Sequence, residues 1–194
     1  MNDSFIFNNK QYQYHTQSKV ERIVELPIIF DYVQQFKDKK ILEIGNVLSN
    51  YYTITHDVLD KYDISSRCIK HDIVSYLTSI KYDLIVSIST LEHVGYEAPE
   101  IKDPSKIKRS IENIKDNLLA NSGMCVITIP LGWNKILDAQ IDKKEIIFDE
   151  IYFMKRIEEY KWIQDNDTTI LGDFYDNPWG CGNKLLIGIL KKEI

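Results

Sequence analysis

A short apolar segment that ends in glycine, KILEIG at residues 40–45, constrains the fold more than any other part of the sequence. Such a segment is typical of a buried strand with a sharp turn at its carboxyl end, because glycine tolerates backbone angles that other residues avoid. Similar runs follow as HDVLD, CIKHDI, YDLIVSIS and MCVITIP. The continuous run YDLIVSIS is typical of a strand buried in a parallel sheet.

Helical patterns lie around and between these strands. Residues 19–37 carry apolar side chains at helical spacing, and Pro27 should start or kink that segment. Residues 105–123 form an amphipathic pattern closed by a glycine, and residues 145–160 also favour a helix. The last two segments, YKWIQDND and NKLLIGILKK, predict an antiparallel pair.

These elements together predict an α/β fold with a doubly wound, mostly parallel, seven-stranded sheet that ends in an antiparallel hairpin. We expect a single domain over residues 1–194. The early crossovers should be unusually short, since about nine residues separate Gly45 from the strand near 55–60 and about six separate that strand from the next. Parallel strands normally need about a dozen residues to cross over, so short helical turns or irregular loops are expected there.

Composition restricts the partners. The formal net charge of −5 disfavours binding to nucleic acid by charge alone and disfavours a polybasic membrane contact. The three cysteines, Cys68, Cys125 and Cys181, form no CxxC pair and no disulfide framework. The first residues lack a signal-peptide pattern, and no run of about 18 apolar residues occurs. We expect a reduced, cytoplasmic protein with no membrane partner; the sequence does not define its oligomeric state.

The ordered motifs ILEIG, an acid near position 60, HDI, YDLIVSISTLEHV and SGMCVITIPLG resemble the class I S-adenosylmethionine-dependent methyltransferases. The LEHV segment is similar to small-molecule methyltransferases of the ubiquinone-biosynthesis type. The segments ERIVELP, LEIGNVLSNY, STLEHVG and IPLGWN also resemble segments of small methyltransferase-like proteins encoded in bacterial polysaccharide gene clusters. The resemblance implies S-adenosylmethionine as cofactor and a Rossmann-like fold.

The resemblance assigns the first contacts to the glycine turn. Gly45 would let the backbone approach the cofactor, and Glu43 would help hold the loop and the cofactor's cationic end. The next two glycines of the family pattern are replaced by Val47 and Ser49. Val47 disfavours a positive φ and adds bulk, whereas Asn46 and Ser49 can satisfy backbone groups at a short helix start. A strand end without cofactor is the alternative.

Further cofactor contacts follow at later strand ends. Asp60 is the expected ribose partner, with Asp63 as the competing acid and a solvated loop acid as the alternative. The resemblance implies that Asp72 reaches the adenine amino group and that the Ile73 amide reaches the ring; Asp72 could also cap a short helix over 73–79. The backbone at the end of the fourth strand is implied to line the methionine part of the cofactor, through Ser87, Ile88 and Ser89.

The substrate side is expected after the fourth and fifth strands. His93 is the candidate general base, because imidazole titrates near neutral pH, although a packing or cofactor contact is an open alternative. Trp133 and Asn134 supply an aromatic face and an amide for a polar organic substrate, or else a packed ring and a turn amide. Glu21 and Arg22 could cap the pocket or belong to a solvated helix face.

Three classes of function remain in view. The leading prediction is an enzyme that transfers a methyl group to a small polar metabolite or sugar-derived acceptor. The alternative is a catalytically silent protein that keeps the fold for binding or regulation. A metal-dependent hydrolase is least favoured: His–Asp and Glu–His neighbours occur at 56–57, 71–72 and 92–93, but no HxH or HxxxH spacing gathers them, and no metal site is predicted.

Overall fold

The computed structural model describes residues 4–96 and 102–193. Its strands are β1 Ser4–Phe7, β2 Lys10–Gln13, β3 Ile41–Ile44, β4 Asp57–Leu59, β5 Cys68–Ile69, β6 Tyr82–Ile88, β7 Leu119–Pro130, β8 Glu150–Glu158, β9 Lys161–Asp165 and β10 Lys184–Lys191. Its α-helices are α1 Arg22–Gln35, α2 Ser105–Asn113 and α3 Lys135–Asp142. None of the described helices is long and apolar enough to cross a membrane.

Eight strands form one mixed sheet in the order β5-β4-β3-β6-β7-β10-β8-β9, while β1 and β2 form a separate antiparallel hairpin. The strands from β5 to β7 are parallel to one another, and β10, β8 and β9 add antiparallel pairs. The predicted Rossmann-like architecture is therefore confirmed. The sheet has eight strands instead of the predicted seven because residues 150–158, which lie in a segment predicted as helix, form the additional strand β8.

The short early crossovers are also confirmed. A single 3₁₀ turn, Leu48–Asn50, lies between β3 and β4, and only turns and bends lie between β4 and β5. Residues 70–81, between β5 and β6, contain turns but no helix, so the short helix considered over 73–79 does not form. This edge of the sheet is consequently covered by loops, and the carboxyl ends of four parallel strands open onto one side.

The antiparallel half differs from expectation. Residues 145–160 do not form a helix; most of them form β8, which pairs with β10 on one side and β9 on the other. The predicted pair of β9 with β10 is also wrong, because β10 inserts between β7 and β8. Pairing on both edges satisfies the backbone groups of β8, and this tertiary gain outweighs the helix propensity of its Glu, Lys and Met residues.

The helix predicted over 105–123 ends early. α2 stops at Asn113, a π-helical turn spans Ile114–Leu118, and β7 begins at Leu119. Gly123 lies inside β7, where a Cβ would come within 2.9 Å of the Tyr82 carbonyl oxygen. The register between β6 and β7 shifts at this point, so Gly123 marks a bulge with close backbone approach instead of a helix end.

Helices cover both faces of the sheet. Residues Leu84 and Val86 of β6 pack in the apolar cluster that includes α1 and the β1–β2 hairpin. Ile85 points to the opposite cluster, which α2 and α3 complete. This alternation along one strand produces three layers, as in other doubly wound sheets. Because α1 packs against β6, the start of α1 lies near the carboxyl end of that strand.

Candidate active site at the carboxyl ends of the parallel strands

A cavity of about 590 Å³ lies where the parallel strands β3, β4, β5 and β6 end. This is the edge at which open α/β sheets bind ligands, and the volume is in the range of small-molecule sites. Apolar and charged side chains alternate around it. The lining residues are Ile44, Gly45, Leu59, Asp60, Lys61, Tyr62, His71, Asp72, Ile73, Ser89, Thr90, His93 and Val94.

Gly45 is required at the first turn. Its φ is +83°, in the left-handed region, and a Cβ there would lie 2.3 Å from the Thr90 Oγ1 atom. Its amide donates to the Leu59 carbonyl oxygen at 2.9 Å, which ties the turn to β4. The glycine therefore brings bare backbone to the cavity wall, while its predicted contact with the cofactor stays a prediction.

Glu43 lies behind the turn and does not line the cavity. Its Oε1 atom accepts hydrogen bonds from the Val47 and Leu48 amides at 2.8 and 2.7 Å, and the His56 Nε2 atom lies 3.0 Å from its Oε2 atom. The side chain is fully buried. Glu43 thus holds the loop in the way the resemblance implied, while its predicted contact with the cofactor's cationic end stays a prediction.

The loop takes a route that does not need the missing glycines. Val47 has φ −104° and ψ −51° and precedes the 3₁₀ turn, so its β-branched side chain adopts an ordinary backbone conformation. Asn46 closes the loop: its Oδ1 atom accepts from the Ser49 hydroxyl at 2.5 Å, and its carbonyl oxygen accepts from the Asn50 side chain. Neither Asn46 nor Val47 lines the cavity.

Asp60 and Asp63 occupy different places. Asp60 lines the cavity, and its carboxylate accepts from three backbone amides: Tyr62 and Asp63 at 2.8 Å and Asn46 at 3.1 Å. Asp63 does not line the cavity; it accepts from the Asn46 side chain at 2.7 Å and from the Ser65 amide at 2.6 Å. The geometry favours Asp60 over Asp63 as the acid that faces a ligand.

Asp72 and Ile73 both line the cavity, while their predicted contacts with adenine stay predictions. The Asp72 Oδ1 atom accepts from the Val74 amide at 3.0 Å, and its Oδ2 atom lies 2.9 Å from the Lys61 Nζ atom. Partial burial opposes the charge of Asp72, but the Val74 amide and Lys61 outweigh it and lower the pKa of the carboxyl. The Lys61–Asp72 ion pair links the loops after β4 and β5, and no local pattern pointed to Lys61.

The end of β6 contributes residues slightly later than predicted. Ser87 and Ile88 are fully buried within the strand and do not line the cavity, whereas Ser89 and Thr90 do. Ser89 has φ +39°, and its amide donates to the Thr128 carbonyl oxygen at 3.1 Å. The chain turns at Ser89, and this turn presents its backbone and that of Thr90 to the cavity.

His93 lines the cavity beside a small aromatic cluster. Its ring centroid lies 4.3 Å from that of Trp133, which in turn lies 5.1 Å from that of Tyr96. The side chain of His93 is 41% exposed. His93 and Trp133 therefore meet at the end of the cavity beyond β6, which brings the two predicted substrate-side residues together.

Asn134 has a defined local role. Its Oδ1 atom accepts from the Ile136 and Leu137 amides, which caps α3, and its Nδ2 atom donates to the Glu92 carbonyl oxygen at 2.7 Å. Asp138 accepts from the Gly132 amide at 2.8 Å, and burial raises the pKa of Asp138 to about 6. Asn134 does not line the cavity, so its predicted substrate contact stays a prediction.

A cluster of buried acids lies behind Ser89 and His93. Arg22 pairs with Glu25 at 2.5 Å, and Glu21 accepts from the Gly182 amide at 3.2 Å. Glu92 faces the same helix start; burial above all raises its pKa well above the usual range, the nearness of its own backbone amide opposes this shift, and Glu25 adds to it. Glu92 directly precedes His93, which was predicted on the substrate side, whereas Glu25 was not predicted. The four-residue spacing from Glu21 to Glu25 was the available signal, because it puts both acids on one helix face.

The metal-binding alternative gains no support from the geometry. Among the residues that the structure describes, no group of three or more His, Cys, Asp or Glu side chains is arranged to hold a metal ion. The neighbouring pairs that suggested ligands serve other purposes; for example, His56 bonds to Glu43 and His71 to the Asp72 carbonyl oxygen.

Comparison with known proteins gives the fold a name. No family model matches the sequence, and no curated protein sequence matches it. A SAM-dependent methyltransferase from Archaeoglobus fulgidus is similar in structure with a TM-score of 0.50 at 15% identity, covering 85% of this chain and 91% of that one. The N-methyltransferase NodS from Bradyrhizobium japonicum WM9, in complex with S-adenosyl-l-homocysteine, has a TM-score of 0.48 at 13% identity over 91% of this chain and 93% of that one.

At these identities structural similarity indicates the fold and not the substrate. Of the two, the Archaeoglobus fulgidus structure has the higher TM-score. Together with the observed strand order and the cavity at the switch in that order, it shows that this chain has the Rossmann-like fold of the S-adenosylmethionine-dependent methyltransferases.

Proposed function

We propose that this protein, acting as a single domain over residues 1–194, transfers a methyl group from S-adenosylmethionine to a small polar metabolite or sugar-derived acceptor. The observation that supports this most directly is the 590 Å³ cavity. It gathers Gly45, Asp60, Asp72, Ile73 and Ser89 from four strand ends that are separated in the sequence.

The cavity fits the cofactor in its distribution of polar and apolar groups. Ile44, Leu59 and Ile73 offer apolar contact for a purine, while Asp60 and Asp72 offer acceptors for hydroxyl and amino groups. Gly45 leaves the space that a Cβ would fill. When bound, S-adenosylmethionine supplies a methyl group that its sulfonium already activates.

Each protein group has a limited task in this proposal. Asp60 accepts hydrogen bonds from the ribose hydroxyls, Asp72 accepts from the adenine amino group, and the Ile73 amide faces the purine ring. Glu43 and Asn46 keep the glycine turn in shape from outside the cavity. The backbone at Ser89 lines the methionine part, near the predicted Ser87 and Ile88.

The acceptor side is proposed at His93 and Trp133. Trp133 packs on the imidazole and supplies an aromatic face, and Asn134 fixes the Glu92 carbonyl oxygen behind them. His93 either removes a proton from the acceptor or packs beside the cofactor. We favour packing, because many methyl transfers require alignment alone.

The identity of the acceptor is a finer proposal. The similarity of ERIVELP and IPLGWN to proteins of polysaccharide gene clusters supports a sugar-derived acceptor and a role in polysaccharide biosynthesis. The net charge of −5 supports a small-molecule partner over nucleic acid. The cytoplasmic location also stays a prediction.

A silent binding protein is the second candidate, and one observation weakens it. The bulk of Val47 suggested a damaged cofactor loop, but the backbone there needs no positive φ. The short crossovers leave the cavity in place. Both features that favoured loss of function are thus compatible with a working site.

Calorimetric titration with S-adenosylhomocysteine tests the proposal. We expect saturable one-site binding, with NAD as a matched control because it is the ligand of other doubly wound sheets. Binding of NAD without binding of S-adenosylhomocysteine would overturn the cofactor assignment. Binding of S-adenosylhomocysteine without turnover on any small acceptor would favour the silent candidate.

The variant His93→Gln separates the two roles of the imidazole. Loss of a general base lowers the rate by about 10²–10⁴ while cofactor affinity stays nearly constant. Loss of a packing residue weakens cofactor binding or stability, and turnover falls in proportion. Affinity by calorimetry and turnover measured on the same variant decide between them.

A further inference from the structure

Glu92 is buried without a hydrogen-bond donor. Its residue is 1% exposed, and neither carboxylate oxygen has a hydrogen-bond partner within residues 4–96 and 102–193. The His93 Nε2 atom lies 3.7 Å from the Glu92 Oε1 atom, which is too long for a hydrogen bond. A buried acceptor without a donor is costly, and native proteins usually retain one for a reason.

The neighbouring charged side chains do not supply the missing hydrogen-bond donor to Glu92. Arg22 is committed to Glu25, whose Oε1 atom also accepts from the Ser89 and Thr128 hydroxyls at 2.5 and 2.7 Å. Glu21 is buried as well, so in this cluster three carboxyl groups share one guanidinium. The cluster therefore lacks positive charge and hydrogen-bond donors, and one further cation with N–H groups would supply both.

The acid cluster adjoins the cavity. Ser89 lines the cavity and donates its hydroxyl to Glu25, and His93 lines the cavity and approaches Glu92. The deficit of positive charge thus lies directly behind the wall at the end of β6. Glu92 itself does not line the cavity, so a ligand group contacts its carboxyl group only when the side chain of His93, which is 41% exposed, rotates away.

Aromatic rings stand next to this point. Trp133 packs on His93, and Tyr96 packs on Trp133. Aromatic faces attract organic cations as well as apolar groups. A divalent metal fits less well, because no group of three ligand side chains is arranged for one among the described residues.

We propose that the methyl acceptor is a small organic amine, bound as its ammonium ion with Glu92 as counter-ion and hydrogen-bond acceptor. The assignment of the amine as methyl acceptor rests on the proposed function. The binding of the ammonium ion at Glu92 does not depend on it. A primary or secondary ammonium ion is required, since a quaternary one has no N–H to give to the two bare oxygens. An amino group on a sugar-derived molecule meets the requirement.

The test measures ligand binding without cofactor. Propylammonium and benzylammonium are titrated at pH 7.5 by calorimetry, each beside its alcohol, 1-propanol or benzyl alcohol, and beside benzyltrimethylammonium. We expect both ammonium ions to bind at least about tenfold more tightly than the alcohols and the quaternary ion, as a buried charge pair allows.

Variants locate the site. Glu92→Gln should remove the preference for ammonium, and Glu92→Met, of similar volume, gives an independent measurement if the first variant does not fold. Glu145→Gln changes an exposed glutamate far along the chain and should preserve the preference. Equal binding of ammonium and alcohol to the native protein, or a preference that survives in both Glu92 variants, would overturn the proposal.

A parallel titration with S-adenosylhomocysteine keeps the two ideas separate. If S-adenosylhomocysteine binds and the ammonium preference is absent, the proposed function stands and the amine assignment fails. If the ammonium preference is present and S-adenosylhomocysteine does not bind, the cation site stands and methyl transfer fails. Methylation of benzyl alcohol but not benzylamine by the native protein would also reject the amine.

Discussion

Two buried glutamates near the ends of neighbouring strands, Glu43 within β3 and Glu92 after β6, have opposite surroundings. Glu43 receives two backbone amides and contacts His56, so its carboxylate is fully used in holding the glycine turn. Glu92 receives no hydrogen bond from the described part of the chain. The same type of side chain is thus a scaffold at the glycine turn and, in our proposal, a ligand group behind the end of β6.

The largest change in the free energy of unfolding is expected when Glu43, which holds the glycine turn, is replaced. Glu43→Ala removes the acceptor of the Leu48 amide, the partner of the His56 ring and the shorter of two contacts of the Val47 amide, and it should lower the free energy of unfolding by about 3–5 kcal/mol. Urea denaturation measures it, with Glu145→Ala as the exposed control. A loss below about 1 kcal/mol would contradict the scaffold role and weaken the contrast with Glu92.

Glu92→Gln should raise the free energy of unfolding at neutral pH, whereas Glu43→Ala lowers it. The folded-state pKa of Glu92 lies above the usual 4.5, so its stabilising contribution is complete below that pH and is lost as the pH rises through the folded-state value. The glutamine does not titrate. We expect the variant to match the native protein near pH 4 and to exceed its unfolding free energy by about 2–3 kcal/mol at pH 8.

The measurement is the difference between the two stability curves over pH 4–8. The difference is needed because Glu21 and Asp138, whose pKa values are also raised by burial, titrate in the same direction in both proteins. A flat difference curve would mean that the carboxyl of Glu92 has a donor after all, which would remove the contrast with Glu43.

The sequence predicted the residues that line the cavity better than the buried acids behind it. Gly45, Asp60 and Asp72 follow short apolar strands within three residues, so local pattern and the rule that ligands bind at strand ends placed them at one edge of the sheet; their contacts with a cofactor stay predictions. Glu25 lies in a helix and reaches Ser89 across 64 positions of sequence. No local pattern contains such a contact; it exists only once α1 has packed against the end of β6.

The errors in the antiparallel half have the same physical origin. The segment 150–158 carries residues that favour a helix, and its strand state depends on partners on both sides. β9 and β10 were paired by their order in the sequence, yet 18 residues separate them, from 166 to 183, which is too long for a tight hairpin. Long connections leave the order of strands undetermined by sequence.

Asp60→Ala tests the ligand-facing side of the cofactor region. We expect affinity for S-adenosylhomocysteine to weaken by roughly 1–3 kcal/mol, because the ribose hydroxyls lose their acceptor. Asp63→Ala is the matched control: it is also a loop acid bonded to Asn46 but does not line the cavity. Calorimetry on both variants is required. Equal losses would mean that both acids act through loop shape alone.

The smallest effect is expected at Val47, which separates loop shape from cofactor contact. In other doubly wound sheets a glycine near this point lets the backbone approach the phosphate or sulfonium end of a ligand. Here Val47 keeps a negative φ, its amide donates to Glu43, and its side chain packs in the α1 cluster without lining the cavity.

Val47→Gly should therefore change affinity for S-adenosylhomocysteine by less than about twofold. It should lower the free energy of unfolding by about 0.5–1 kcal/mol through backbone entropy. Calorimetry and urea denaturation on the same preparation measure both quantities. A large gain in affinity would show that the valine loop obstructs the cofactor and that the native protein is the silent relative. An unchanged affinity with reduced stability would show that Glu43, and not glycine, sets the shape of this loop.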